Sequence, residues 1–190
     1  MCSEIEELFE RAKQGDVGVI LANGVNMESN KKTLDFTSNP VVKAALGLYP
    51  IDALDLTDSQ IEDSINFIRK NANRISAIGE VGLDFKEDLN NWDRQKFVFK
   101  KVIDLSIEID KPLIVHSRKA EKETIEFLEL NGAKKVIMHC FNGKISLLAR
   151  IVKNEWYLTI PTNVTHSEHF QMVIGKIGIH KLIRFAHSPN

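Results

Sequence analysis

Features that mark secreted and membrane proteins are scarce in this chain of 190 residues. Two cysteines, Cys2 and Cys140, are too few for a disulfide framework and suit a reducing compartment. No apolar run approaches the roughly 20 residues that a membrane-spanning helix needs, and the first residues lack the pattern of a signal peptide. We therefore expect a cytoplasmic protein without a membrane partner.

The chain also lacks a surplus of either charge. Its formal net charge is −1, whereas nucleic-acid-binding proteins usually carry a basic surplus. Attraction of phosphate would therefore need a local basic patch or a metal ion. With 43% hydrophobic and 27% charged residues, the composition predicts one globular domain over residues 1–190.

Short apolar runs alternate with segments of helical periodicity along the whole sequence. This alternation is typical of parallel crossover units and an α/β fold. The predicted helices are 3–14, 28–36, 57–71, 91–109, 121–130, 144–153 and 167–177, and the predicted strands are 17–22, 41–48, 75–82, 112–116, 135–140, 156–160 and 181–186.

Seven predicted strands come close to the eight of a TIM-type (β/α)8 barrel. Because the pattern begins with a helix and stops on a strand, we predict an incomplete barrel that lacks its first strand and last helix, truncated at both ends. A closed seven-stranded barrel and an open doubly wound sheet are the alternatives. In all three, the carboxyl ends of the strands gather at one edge.

Three of the apolar runs end in residues that can bind a metal ion. Glu80 lies in the run 77–84, His116 ends the run 112–116, and His139 follows Val136 to Met138. Each residue also has a simpler interpretation, as a core histidine or a carboxylate bound to backbone donors. Burying one carboxylate and two imidazoles together without a metal or partner would be costly, however. The combination favours a metal site, with His139 facing it and Cys140 packing on the opposite side.

Three motifs in this order resemble the TatD family of metal-dependent deoxyribonucleases. They are residues 79–85 (Gly-Glu-Val-Gly-Leu-Asp-Phe), 112–120 (Pro-Leu-Ile-Val-His-Ser-Arg-Lys-Ala) and 139–143 (His-Cys-Phe-Asn-Gly). Residues 47–50 and 160–163 add weaker matches, so that the resemblance covers essentially the whole chain. It implies an amidohydrolase-like (β/α)8 barrel.

The resemblance also implies roles for individual residues. Glu80 would bridge two divalent ions, and His116 and His139 would bind one of them. Arg118 would meet a substrate phosphate, although an ordinary ion pair with a nearby carboxylate is an equally good interpretation. Tyr49 would line the pocket or pack beneath it. Asp84 would orient a ligand or cap a turn.

Two departures from the family pattern affect the expected site. Nothing before Ser3 resembles the Asp-x-His-x-His strand that supplies ligands to the second metal. His187 stands where the family has an Asp that binds metal and accepts a proton. A neutral imidazole can do either, but without the charge of a carboxylate.

The function implied is hydrolysis of phosphodiester bonds at the ends of DNA or another nucleic acid, by a two-metal mechanism in intact members. The metal would be Mg, Mn or Zn, with one or two ions bound. Two alternatives stay open: a degenerate, non-catalytic paralogue that binds metal or nucleic acid, and a barrel hydrolase acting on esters or amides.

Overall fold

Helices and strands alternate along the chain, as the apolar pattern predicts. The computed structural model describes residues 2–88 and 90–184. Its strands are β1 (Ile20–Asn23), β2 (Val42–Leu46), β3 (Ile75–Gly82), β4 (Leu113–His116), β5 (Val136–Met138), β6 (Tyr157–Ile160) and β7 (Leu182–Arg184). Its α-helices are α1 (Cys2–Gln14), α2 (Met27–Asp35), α3 (Asp58–Lys70), α4 (Trp92–Glu108), α5 (Glu121–Leu130), α6 (Leu148–Lys153) and α7 (Glu168–Ile177).

The seven described strands form one parallel sheet in which neighbours in sequence are neighbours in space, in the order β1 to β7. A doubly wound sheet would reverse its strand order, so that alternative is wrong. Within the described residues β1 and β7 pair only with β2 and β6, which excludes the closed seven-stranded barrel there. The result is a curled half-barrel of TIM type, which confirms the predicted fold class.

Helix α3 illustrates how the sequence produces this arrangement. Thr57 caps it: its side-chain oxygen accepts from the backbone N–H of Gln60, whose own side chain reaches back to complete a capping box. Ile61, Ile65 and Ile68 recur at helical spacing and are almost fully buried against the sheet. Burial of each such side chain contributes about 1.5–3 kcal/mol.

The two faces of the sheet are packed differently. The outer face meets the helices in a large core that includes Trp156, Phe99 and Phe141, each about 1% exposed. The inner face has a small cluster of short and branched side chains, which consists of Ala45, Ala77, Ile114 and Ile137.

Some boundaries differ from the predicted ones. Strand β5 ends at Met138 rather than at residue 140, and a 3-10 turn (Ile145–Leu147) precedes α6. The predicted last strand, 181–186, is represented by Leu182–Arg184; His187 lies outside the described residues. None of the helices in the described part has the length and apolar character needed to cross a membrane.

Candidate active site

The polar residues predicted at the strand ends line one cavity of about 640 Å³ at the carboxyl edge of the sheet. Glu80 lies near the end of β3, and His116 is the last residue of β4. In the register of the two strands, His116 is paired with Gly82 of β3. Parallel strands bring these ends together because all carboxyl ends share one edge. The sequence-predicted residues on the cavity wall are Tyr49, Glu80, His116, Arg118 and His139.

His116 is held between two carboxylates. Its Nδ1 lies 3.0 Å from Oε1 of Glu80, and its Nε2 lies 2.8 Å from Oδ2 of Asp84. The hydroxyl of Tyr49 lies 3.2 Å from the same Nε2 and 3.3 Å from Oδ2 of Asp84, and the two rings meet edge to face. The orientation of the imidazole is therefore fixed on three sides.

Asp84 contacts His116 and also closes a turn, and whether it orients a metal ligand stays a prediction. Its side chain is fully buried, binds His116, and accepts backbone N–H bonds from Lys86 (2.8 Å) and Glu87 (2.9 Å) in a turn. Burial alone would raise the pKa of Asp84, but the two backbone donors and His116 outweigh it and hold that pKa below its ordinary value. The carboxylate thus stays ionised beside His116.

Gln95 is a supporting residue that sequence reasoning missed. It is buried on α4, where its amide accepts from the backbone N–H of Asp84 (2.7 Å) and donates to the carbonyl of Asp84 (2.9 Å). This two-way bond fixes the backbone beneath the His116 partner. A glutamine within an apolar helical face was the available signal.

The environment also shifts the pKa values of His116 and Tyr49. Burial lowers the pKa of His116, but its contacts with Glu80 and Asp84 raise it more, and the net shift is upward. Burial raises the pKa of Tyr49, and the charges of Asp84 and Glu80 raise it further. Tyr49 therefore stays a neutral hydrogen-bond donor at any ordinary pH.

His139 and Cys140 lie beyond β5, in a turn. Nδ1 of His139 is 3.3 Å from the hydroxyl of Thr159, which also accepts the backbone N–H of Cys140 at 2.9 Å. Cys140 lines the cavity together with His139, so its predicted packing on the opposite side is wrong. The strict alternation of a strand no longer applies there, because β5 ends at Met138 and Cys140 has a φ of 43°.

Arg118 lines the cavity while paired with an acidic neighbour. Its Nη1 lies 2.6 Å from Oε1 of Glu87 and 4.0 Å from Oδ2 of Asp84. The ion pair with a nearby carboxylate, which was the simpler of the two interpretations, is therefore present. Its contact with a substrate phosphate stays a prediction.

Comparison with known proteins identifies the family. The family model of the TatD related DNases matches residues 2–184. The chain belongs to this family. A TatD-family crystal structure, YjjV of Escherichia coli K12, matches the described fold with a TM-score of 0.86 at 24% identity, over 95% of this chain and 71% of that one.

Relatives of this TatD chain include proteins named as hydrolases and as deoxyribonucleases. It is 30% identical to an uncharacterized metal-dependent hydrolase of Methanocaldococcus jannaschii, over 97% of this chain and 72% of that protein. It is 33% identical to the uncharacterized metal-dependent hydrolase YabD of Bacillus subtilis, over 86% of this chain and 64% of that protein. It is 27% identical to human deoxyribonuclease TATDN3, over 98% of this chain and 72% of that protein. The chain thus spans about two thirds to three quarters of the length of these relatives.

Proposed function

We propose that this TatD-family chain is a metal-dependent hydrolase that cleaves phosphodiester bonds at the ends of single-stranded DNA. The observation that carries the proposal is the imidazole of His116, held between Glu80 and Asp84 on the wall of a cavity. Deoxyribonucleases are among the named relatives, which favours DNA as the substrate.

The chemistry of these side chains fits a divalent metal ion. Among the described residues no group of three or more His, Cys, Asp or Glu side chains is gathered around one metal position, but Glu80 and His116 are in contact. Carboxylate and imidazole are common ligands of Mn and Zn, and a carboxylate on the far nitrogen is the usual partner of a metal-bound imidazole. Asp84 takes that place. Glu80, His116 and His139 would hold the ion.

The remaining groups position the reaction. A bound divalent ion would acidify a water molecule and neutralise charge on the phosphoryl group. Asp84 fixes the His116 ring, and Tyr49 donates a hydrogen bond at the same place. His187, where the family has Asp, is proposed to accept the proton. A single-stranded end suits a pocket at strand ends, because a duplex would have to unpair to enter.

The test is release of nucleotides from a single-stranded oligonucleotide with Mg, Mn or Zn. Glu80→Gln keeps the size of the side chain but removes its charge, and we expect it to reduce the rate at least 100-fold. Glu10→Gln on the exposed side of α1 is the matched control and should leave the rate unchanged. Absence of release with all three metals would contradict the proposal.

A second candidate is a non-catalytic member that binds metal or nucleic acid. It is favoured by the engagement of both ring nitrogens of His116, which leaves neither of them available until a carboxylate moves. This candidate predicts a stoichiometric metal in equilibrium dialysis without nucleotide release. Catalytic release of nucleotides by the protein would exclude this candidate.

A further inference from the structure

Two lysines, Lys86 and Lys119, line the cavity from neighbouring loops. Lys86 is in the loop after β3 and Lys119 is in the loop after β4. A hydrogen bond of 3.0 Å from the backbone N–H of Phe85 to the carbonyl of Arg118 joins these loops. Each lysine follows one partner of this bond, so the two occupy corresponding places in neighbouring loops.

Both lysines carry charges that the described part of the protein does not neutralise. No ion pair involves Lys86 or Lys119 within residues 2–88 and 90–184, whereas Arg118 between them is paired with Glu87. Two acidic residues, Glu80 and Glu121, line the same cavity. Because Arg118 on the same wall is paired with Glu87, Lys86 and Lys119 are the cavity-lining cations that can offset these two carboxylates.

The backbone at Lys119 is strained in a way that a glycine would avoid. Lys119 is the third residue of a turn that is closed by a 3.0 Å hydrogen bond from the N–H of Ala120 to the carbonyl of Ser117. Its φ is 58°, in the left-handed region that favours Gly or Asn. Lys119 thus has a long cationic side chain beside the cavity, at a backbone position that favours glycine.

We infer that Lys86 and Lys119 bind the phosphate groups that flank the scissile one, so that the cavity selects oligonucleotides over substrates with a single phosphodiester. The inference rests on the proposed function for the identity of the polymer. Ammonium groups suit this role because they contact phosphate as point charges without reading the bases.

The test is binding of a fluorescein-labelled single-stranded octanucleotide in EDTA, followed by fluorescence anisotropy. Lys86→Gln and Lys119→Gln should each weaken binding about tenfold. Each should also reduce the slope of log affinity against log salt by about 0.7. The loss should be smaller for a dinucleotide, which lacks flanking phosphates. Lys70→Gln, on the exposed surface of α3, is the matched control and should change neither quantity.

Further variants separate binding from strain at Lys119. Lys119→Arg retains the charge and should retain affinity. Lys119→Gly relieves the positive φ and should raise the melting temperature by about 2 °C while weakening binding. If the role of Lys119 were purely structural, its substitution would change the melting temperature without changing the affinity for the octanucleotide.

The outcomes distinguish this inference from the proposed function. Unchanged affinity and salt slope in both Gln variants would overturn the role of the lysines, even if the chain hydrolyses DNA. If the Gln variants bind the oligonucleotide more weakly but the parent protein releases no nucleotide, the lysine site is supported and the proposed hydrolase activity is contradicted.

Discussion

At His116 the chemistry of a single imidazole depends on two carboxylates. In the arrangement described, a protonated ring donates from Nδ1 to Glu80 and from Nε2 to Asp84. A metal ion bound by Glu80 and His116 would replace the proton at the nitrogen facing Glu80, while Asp84 would keep its bond. Proton and metal therefore compete for this residue, and metal affinity should fall as the pH is lowered.

In the absence of metal, His116 should make stability depend on pH in a definite direction. Its folded-state pKa is raised above the ordinary 6.5, so the native protein binds more protons than the unfolded chain above that pH. The contribution is complete below pH 6.5 and is lost as the pH rises through the folded pKa. The free energy of unfolding should fall by up to about 1.4 kcal/mol per pH unit in that window.

Urea denaturation in EDTA between pH 6 and pH 9 measures this slope. His116→Gln should remove the decrease, since the amide does not titrate. Asp84 acts in the opposite sense at low pH: its lowered pKa makes its contribution present above 3.8 and lost as the pH falls below that value. If the free energy of unfolding falls with pH equally in the parent and in His116→Gln above pH 6.5, the decrease does not come from His116.

The residues that meet at this site were partly predictable from the sequence. Glu80 lies near the end of one apolar strand and His116 ends another, and parallel strands must deliver their ends to one edge. Gln95 was not predictable in this way. It lies on helix α4, 11 residues after Asp84, and only tertiary packing brings its side chain to the Asp84 backbone. The pairing of Arg118 with Glu87 likewise depends on how two loops approach, which local periodicity does not encode.

Among the structural elements, the pairing of β3 with β4 controls the position of His116. Gly82, the last residue of β3, has a φ of 137°, and a Cβ there would overlap the carbonyl oxygen of His116. Gly82→Ala combines this overlap with an unfavourable backbone conformation. We expect it to lower the free energy of unfolding by about 2–4 kcal/mol and to weaken metal binding.

The matched control is Gly175→Ala in α7. A Cβ at Gly175 meets no atom within 4 Å, so alanine should stabilise the helix by about 0.5–1 kcal/mol. Urea denaturation of both variants gives the comparison directly. Equal changes in stability at the two positions would mean that close approach of β3 to β4 does not restrict Gly82.

Long periodic elements were predicted well, and short ones less so. The spacing of Ile61, Ile65 and Ile68 with Thr57 as cap led to α3 almost residue for residue. Strand β5 was predicted too long, because the apolar run continues into a turn where Cys140 has a positive φ. A run of apolar residues predicts which residues are buried, but it does not predict the residue at which the strand ends.

At the scale of the whole molecule, the site rests on the middle of the sheet. Glu80 and His116 belong to β3 and β4, which are flanked by further strands on both sides. The inner face becomes more exposed towards the edges, where Leu21 is 37% and Ile183 is 40% accessible. The central strands are therefore the best-covered part of the half-barrel, and the edge strands are less well covered.

Because the proposed ligands Glu80 and His116 lie on separate strands, only the folded half-barrel can bring them together. A metal ion that binds this site should therefore stabilise the native state and not the unfolded chain. At a hundredfold excess over the dissociation constant, the stabilisation is about 2.7 kcal/mol, or roughly 5–10 °C in melting temperature for a domain of this size. Thermal denaturation with and without Mn or Zn measures it.

His116→Gln should abolish most of this shift, because it removes the nitrogen proposed to bind the metal while keeping a polar side chain between Glu80 and Asp84. Lys70→Gln changes an exposed residue of α3 that does not line the cavity, and it should keep the full shift. A shift of the same size in the parent and in His116→Gln would place the stabilising ion elsewhere on the protein. Since strands β3 and β4 deliver both groups, a shift lost in His116→Gln and in Gly82→Ala alike would tie metal binding to the register of this strand pair.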